Sequence, residues 1–341
     1  MNVYISHNYR DFASAGNQAK SDMEALMQRM GYRNIGLRQS VSRNKVIHFL
    51  RNFIGITKAK AALRRGDVLF LQYPLKKYFT SVCRAARRRG ARTVVLVHDL
   101  GSCRRKAISE AEEVRRLNCA DYVIATNAVM AARLRRMGVT AMIGSLDMWD
   151  NLAHASRTAK PSLSGPTVVA YAGTLSPRKS AFLAQWGRVV KNYRVEVYGR
   201  GFDASAVEAP EKFTDNGFVA AQDLIGGMRG DYGLVWDGDS LDTCSGNFGE
   251  YLALNTPHKI SLYVRAGLPV VIWSGAAMAG FVRERGVGVA IDCLADLNTA
   301  LPARDSDEYR SMLANVHALA AQVSSGYFFR TACDRALDVL G

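Results

Sequence analysis

Four short clusters of residues have the types and spacing that binding of a phosphate-bearing group requires. In Asn255-Thr256-Pro257-His258-Lys259, Thr256 suits a helix N-cap and Pro257 the first helical position, so a helix is predicted to start there. Lys259 in its first turn opposes the helix dipole by ~0.3–1 kcal/mol unless an anion offsets it. The spacing therefore points to a diphosphate set between the helix end and the ammonium group, with an unengaged lysine as the plain alternative. A second cluster, Gly173-Thr174-Leu175-Ser176-Pro177-Arg178-Lys179-Ser180, puts a glycine, hydroxyls and two cations where a helix begins. Arg178 can fork two bonds to phosphate oxygens and Lys179 supplies a point charge; otherwise the segment is a capping turn. Tyr198-Gly199-Arg200-Gly201 allows close backbone approach to a ligand, or is a bare turn. Ser14-Ala15-Gly16-Asn17 opens the first helix with a glycine, but lacks the GxGxxG dinucleotide pattern.

General-base chemistry has one candidate pair, His98-Asp99, at the end of an apolar run, with a satisfied structural histidine as the other reading of His98. Gln72-Tyr73-Pro74 follows a similar run and is placed to line the same cleft. Asp237-Gly238-Asp239 resembles an acidic pair that holds a divalent cation beside a diphosphate. With Arg178 and Lys259 already supplying positive charge, no metal ligand and no cofactor is assigned.

The elements that must position these residues alternate along the chain. Apolar β-branched runs at 3–6, 68–73, 93–97, 122–125, 167–171, 195–198, 233–236, 269–273 and 287–291 are separated by helical segments, the pattern of parallel βαβ units. Residues 154–166 interrupt it with small, polar, Pro and Gly residues, so two doubly wound α/β domains are expected, at 1–157 and 165–320. A terminal helix at about 322–341 is expected to pack back on the first domain. In such folds ligands sit at the carboxyl ends of strands, so the residues just after each strand carry most weight.

A length of 341 residues, 48% of them hydrophobic and 22% charged, supplies two cores and excludes disordered and fibrous classes. Residues 1–160 hold 29 Lys and Arg against 11 Asp and Glu, while residues 161–341 hold 16 against 19. The excess positive charge thus lies wholly in the first half and points to an anionic partner there. Six cysteines without CxxC spacing suit free thiols in a reducing compartment. With neither a leader pattern nor a spanning apolar stretch, the expected location is cytoplasmic, at or near the inner face of the cell membrane.

Together, Gly16 and its helix, residues 66–74, Val97-His98-Asp99-Leu100 and Asn255 to Lys259 with Gly267-Leu268-Pro269 resemble one group of GT-B glycosyltransferases. That group comprises the bacterial β-1,6-galactofuranosyltransferases and the glucosyltransferase 3 enzymes of adhesin glycosylation. The resemblance implies two Rossmann-like domains facing a central cleft and a UDP-sugar donor held mainly by the second domain. Transfer would be inverting and metal-independent, to a glycan or lipid-linked acceptor, in cell-surface polysaccharide synthesis. By position, Arg178 and Lys259 would neutralise the diphosphate, Tyr198 and Gly199 would sit beside the nucleotide, and Gly16 would face the donor sugar, with galactofuranose favoured over another hexose. The donor-binding set also includes Asn17, Gly173, Thr174, Asn255 and His258. His98 and Asp99 are the catalytic candidates. Expected partners are the donor, the acceptor, an anionic membrane touched by the basic half, and a second copy of the chain, with no nucleic acid. The competing readings are a basic nucleic-acid-binding protein, a nucleotide-sugar epimerase of the same fold, and an inactive donor-binding subunit.

Overall fold

The computed structural model describes residues 1–6, 8–9, 15–42, 44–104, 106–155 and 165–341. Ser14 and most of the expected linker, 156–164, lie outside the described residues. The chain forms two compact units, Met1–Asp150 with Gly326–Gly341, and Asn151–Ser325. The division falls before residue 157 because Trp149 and Asp150 are buried among first-unit residues, Trp149 stacked on His98 with ring centroids 4.7 Å apart.

In the first unit the chain runs β1 (Asn2–Tyr4), β2 (Asn8–Tyr9), α1 (Ala15–Arg29), β3 (Arg33–Asn34), β4 (Ser40–Val41) and α2 (Lys45–Ala62). It continues through β5 (Val68–Tyr73), α3 (Phe79–Arg88), β6 (Arg92–Val97), α4 (Gly101–Arg104), α5 (Glu110–Leu117), β7 (Tyr122–Ala125), α6 (Ala128–Met137) and β8 (Met142–Ser145). Six strands form a parallel sheet in the order β3-β1-β5-β6-β7-β8, and β2 pairs with β4 separately. Thr93 to Val97 and Tyr122 to Ala125 are buried without alternation, as a sheet covered on both faces requires. Each fully buried aliphatic side chain of this kind contributes about 1.5–3 kcal/mol.

The second unit contains β9 (Thr167–Thr174), α7 (Pro177–Ser180), α8 (Leu183–Trp186), β10 (Tyr193–Arg200), β11 (Phe213–Asp215), α9 (Ala221–Gly227) and β12 (Tyr232–Val235). After these come α10 (Gly246–Glu250), α11 (His258–Arg265), β13 (Val270–Trp273), α12 (Ala279–Glu284), β14 (Gly288–Ile291) and α13 (Asp307–Ser325). Its parallel sheet has the order β11-β10-β9-β12-β13-β14, the doubly wound dinucleotide-fold order. Strand order reverses between β9 and β12 here, and between β1 and β5 in the first unit. Those crevices are where such sheets bind ligands.

Two local expectations are corrected. The helix predicted to begin at Pro257 starts at His258, with Pro257 in the cap position at φ −72°, ψ 135°. Thr256 is buried and its hydroxyl turns to the Met278 sulfur, 3.4 Å away, so it does not cap the helix. β9 runs three residues beyond Tyr171, which places Gly173 and Thr174 in the strand and leaves α7 only one turn.

Gly326, at φ +79°, separates α13 from α14 (Tyr327–Leu340) and returns the chain to the first unit, against α1, β7 and β8. Asp150 anchors the start of α14, accepting from the Phe329 N–H at 2.7 Å and the Phe328 N–H at 3.3 Å. Burial pushes its carboxyl up to about 7, against the pull of those two N–H groups and Arg330. Because the folded value exceeds the ordinary 3.8, the stability tied to the protonated form is complete below about pH 4 and is lost as pH rises through 7. Asp150→Asn keeps an acceptor that does not titrate. Thermal unfolding from pH 4 to 7.5 should show wild type losing about 4 kcal/mol relative to the variant. A difference independent of pH would show that Asp150 is not the titrating group.

Candidate functional site

The site in the second unit is built around α11, which Tyr263 pins across the reversal point. The Tyr263 hydroxyl donates to the Leu234 carbonyl of β12 at 3.0 Å and accepts from the Ala172 N–H of β9 at 2.9 Å. One turn earlier on the same helix face stands Lys259. Its ammonium is buried, 2.8 Å from Asp237 Oδ1, 3.2 Å from the Trp236 carbonyl and 4.0 Å from the centre of the Tyr171 ring. The other Asp237 oxygen lies 3.5 Å from Lys179 Nζ. The Tyr171 hydroxyl completes the cluster, 2.7 Å from the Ser180 hydroxyl and donating toward Asp237 Oδ1 at 3.2 Å.

A single buried carboxylate is thus flanked by two ammonium groups. Burial lowers the Lys259 pKa to about 8, opposed by Asp237 and assisted by Lys179. Burial also raises the Tyr171 hydroxyl well above 10, which keeps it a neutral donor. Lys259, Lys179 and Arg178 against Asp237 leave a formal excess of two positive charges, matching the two negative charges of a nucleotide-sugar diphosphate.

The strand ends beside this cluster are bare backbone. Gly173 and Gly199 pair in register at φ +151° and +152°. A Cβ on Gly199 would lie 1.8 Å from the Gly173 carbonyl oxygen, and one on Gly173 would lie 3.2 Å from Lys259 Cε. Glycine is required at both positions because the protein's own backbone and Lys259 take up the space a side chain would need. Gly173 and Thr174 are exposed, and Arg178 is exposed on α7 while Lys179 turns inward. Pro257 in the cap position makes no side-chain cap bond, and His258 at the start of α11 is half-buried. Asn255 Oδ1 is buried without a partner among the described residues. A helix start, an unused acceptor and net positive charge suit a phosphate-bearing ligand with further hydrogen-bonding groups.

Four residues singled out in the sequence stand differently. Tyr198, expected beside the nucleotide, is buried and accepts from the Arg229 N–H at 2.8 Å, while Gly199 next to it reaches the strand end. Asp237 and Asp239 do not form a pair. Asp237 faces the two lysines, and Asp239 accepts from the Ser245 hydroxyl. His98 is a core residue: it is buried, stacked on Trp149, and its Nε2 lies 2.7 Å from Gln72 Oε1. Gln72 in turn donates to the Lys20 carbonyl at 3.1 Å, which turns its oxygen toward His98 and assigns the ring proton to Nε2. Asp99 remains partly exposed and forms an ion pair with Arg104. Gly16 and Asn17 lie in the first turn of α1. The sequence reading assigns no site role to Tyr171 or Tyr263. A tyrosine four residues after Lys259, on the same helix face, was the available signal.

Comparison with known proteins follows the same lines. A β-1,6-galactofuranosyltransferase, WbbI of Escherichia coli (strain K12), is 29% identical over 334 residues, covering 96% of this chain and 95% of that protein. Glucosyltransferase 3 of Streptococcus parasanguinis is 21% identical over 339 residues, covering 97% and 96%. Among solved structures, the lipopolysaccharide outer core galactosyltransferase WaaB superposes with TM-score 0.61 at 12% identity over both whole chains. Anabaena HepE, solved in complex with UDP and glucose, superposes with TM-score 0.60 at 14% identity, covering 99% of this chain and 98% of that one. The N-terminal domain of the glucosyltransferase 3-like family matches residues 2–148, and its C-terminal domain matches residues 169–336. The chain therefore belongs to the glucosyltransferase 3-like family of GT-B glycosyltransferases, with two Rossmann-like domains.

Proposed function

We propose that the protein transfers a sugar, galactofuranose in first preference, from a UDP-linked donor to a hydroxyl of a glycan or lipid-linked acceptor. The process served is cell-surface polysaccharide synthesis at the cytoplasmic face of a membrane. The observation that carries this reading is the Lys259–Asp237–Lys179 cluster under the bare strand ends of Gly173 and Gly199. Support for the sugar comes from the full-length likeness to the galactofuranosyltransferase. Support for UDP comes from the HepE complex, a protein of the same fold.

Displacement at the anomeric carbon sends a bonding pair to the β-phosphate oxygen. The resulting charge is stabilised by Lys259, Lys179 and Arg178 and by the first-turn N–H groups of α11, and one preorganised donor of this kind is typically worth about 3–4 kcal/mol. The reading is metal-independent because both Asp237 oxygens face ammonium groups. The acceptor hydroxyl gives its proton to Asp99, partly exposed where His98 is buried, and inversion follows from the single displacement. The basic first half draws the protein to anionic lipid, and self-association belongs to the same reading.

Calorimetric titration of UDP with EDTA present is expected to show micromolar binding that Arg178→Ala and Lys259→Ala each weaken about tenfold or more, ~1.4 kcal/mol. Lys259→Ala strands a buried carboxylate, so Lys259→Ala combined with Asp237→Asn serves as its folding control. No UDP binding by wild type would overturn the donor site. Affinity should hold below pH 8 and weaken as pH rises past it, because the ammonium whose pKa lies at about 8 discharges there. Lys259→Ala should remove that dependence. With acceptor present, UDP release should be faster from UDP-galactofuranose than from UDP-glucose, and should cease without acceptor; conversion of the donor to an epimeric UDP-sugar with no net UDP release would favour an epimerase. Asp99→Asn should lower kcat by about 10²–10⁴ with UDP affinity unchanged, the range for loss of a general base. An unchanged kcat would move that role to another residue.

A further inference from the structure

Six large apolar side chains of α2 face water: Val46, Ile47, Phe49, Leu50, Phe53 and Ile54, each 48–65% exposed. At 100° per residue they occupy one arc of about 160°, and no polar side chain from 46 to 54 falls within it. The opposite side holds the helix to the unit. Gly55, Ile56 and Ala59 are buried there, Asn52 accepts from the Asn8 amide at 2.9 Å, and Lys60 donates to Ser81 at 2.9 Å. This reverses the usual arrangement, in which the apolar stripe faces the core. Contiguous exposed apolar surface of this kind marks an interaction site.

The rim of the arc is cationic. Lys45 and Lys58 are exposed on the helix, and the exposed Lys77 places its ammonium 4.6 Å from the centre of the Phe49 ring. Between Glu24 and Asp99 the chain carries 17 Lys and Arg and a single carboxylate, Asp67. Asp67 is buried, accepting from the Arg64 N–H at 2.9 Å and lying 3.6 Å from the N-terminal ammonium. Among the described residues no helix is long and apolar enough to cross a membrane.

We propose that α2 lies in the interface of an anionic bilayer, its apolar arc sunk to the acyl boundary and Lys45, Lys58 and Lys77 at the headgroup phosphates. A second copy of the chain fits less well. Two-fold pairing of this helix would oppose like cations, with no carboxylate on the helix to receive them. A protein partner fits less well too, since the arc offers no hydrogen-bonding group to set a register, whereas a lipid surface needs only apolar depth and an anionic rim. The inference sharpens the membrane-surface reading above and is independent of the UDP site.

The test is co-sedimentation of the full-length protein with vesicles of phosphatidylcholine alone or with about one third phosphatidylglycerol. Three proteins are compared: wild type, Phe49→Ser/Leu50→Ser/Phe53→Ser, and Lys45→Gln/Lys58→Gln. Thermal unfolding, UDP titration and sedimentation velocity accompany each. Wild type should bind the anionic vesicles about tenfold or more tightly than neutral ones. The apolar triple variant should lose about tenfold or more of that binding while its unfolding midpoint and UDP affinity persist. The lysine variant should lose several-fold, with the loss removed by salt. Failure of wild type to bind anionic vesicles would overturn the proposal, as would a triple variant that binds like wild type. An oligomer that the triple variant dissociates, with lipid binding unchanged, would assign the face to a second copy. Vesicle binding without UDP binding would leave this proposal standing and remove the donor reading alone.

Discussion

The organising constraint of the second unit is the burial of one carboxylate, Asp237, beneath two ammonium groups. Taking such a group out of water costs several kcal/mol, and only close, well-oriented cations and donors offset it. Lys259 therefore has to arrive from α11, Lys179 from α7 and the Tyr171 hydroxyl from β9. Each supporting contact can be read as holding one of these three in place. Tyr263 ties α11 to two strands, the Gly238 N–H donates to the Lys179 carbonyl at 2.8 Å, and Ser180 bonds both Tyr171 and the Thr174 carbonyl. The cluster is structural and electrostatic at once. It closes the strand ends of the core and leaves a net positive floor beneath an open backbone.

The first unit treats its own reversal point differently. At the ends of β5 and β6, Gln72 links the Lys20 carbonyl to His98, and Trp149 stacks on the imidazole. A deeply buried acid of this unit, Glu113, accepts from the Gly101 and Ser102 N–H groups and the Tyr73 hydroxyl. These bonds rigidify the carboxyl ends of β5 and β6. Asp99, one residue beyond His98, is left at the edge of that network with Arg104 as its counter-ion. Buried cations and glycine-lined strand ends thus collect in the second unit, while the first has a basic exterior.

That exterior is divided by type. Arg64, Arg65 and Arg87 to Arg89 are exposed cations on ordinary solvated surface, whereas α2 exposes hydrocarbon bordered by lysine. A helix attached through Gly55, Ile56 and Ala59 buries little apolar area of its own. Its place in the fold therefore depends on small-residue contact and side-chain hydrogen bonds rather than on an apolar stripe.

The sequence by itself determined the two α/β units, because strands covered on both faces must be continuously apolar, and Val94 to Val97, Tyr122 to Ala125 and Tyr232 to Val235 are so. It also singled out Gly173 and Gly199 near strand ends and Lys259 in the first turn of a helix, which local composition alone can mark. Tertiary structure decided the rest. Whether Thr256 caps a helix or meets Met278, and whether Tyr198 faces a ligand or Arg229, depends on neighbours distant in sequence. Asp237 reads as one half of an acidic pair until α11 brings Lys259 to within 2.8 Å of it. The apolar side of α2 gives no sign of facing water, because hydrophobic periodicity records that a helix has an apolar face and not what covers it.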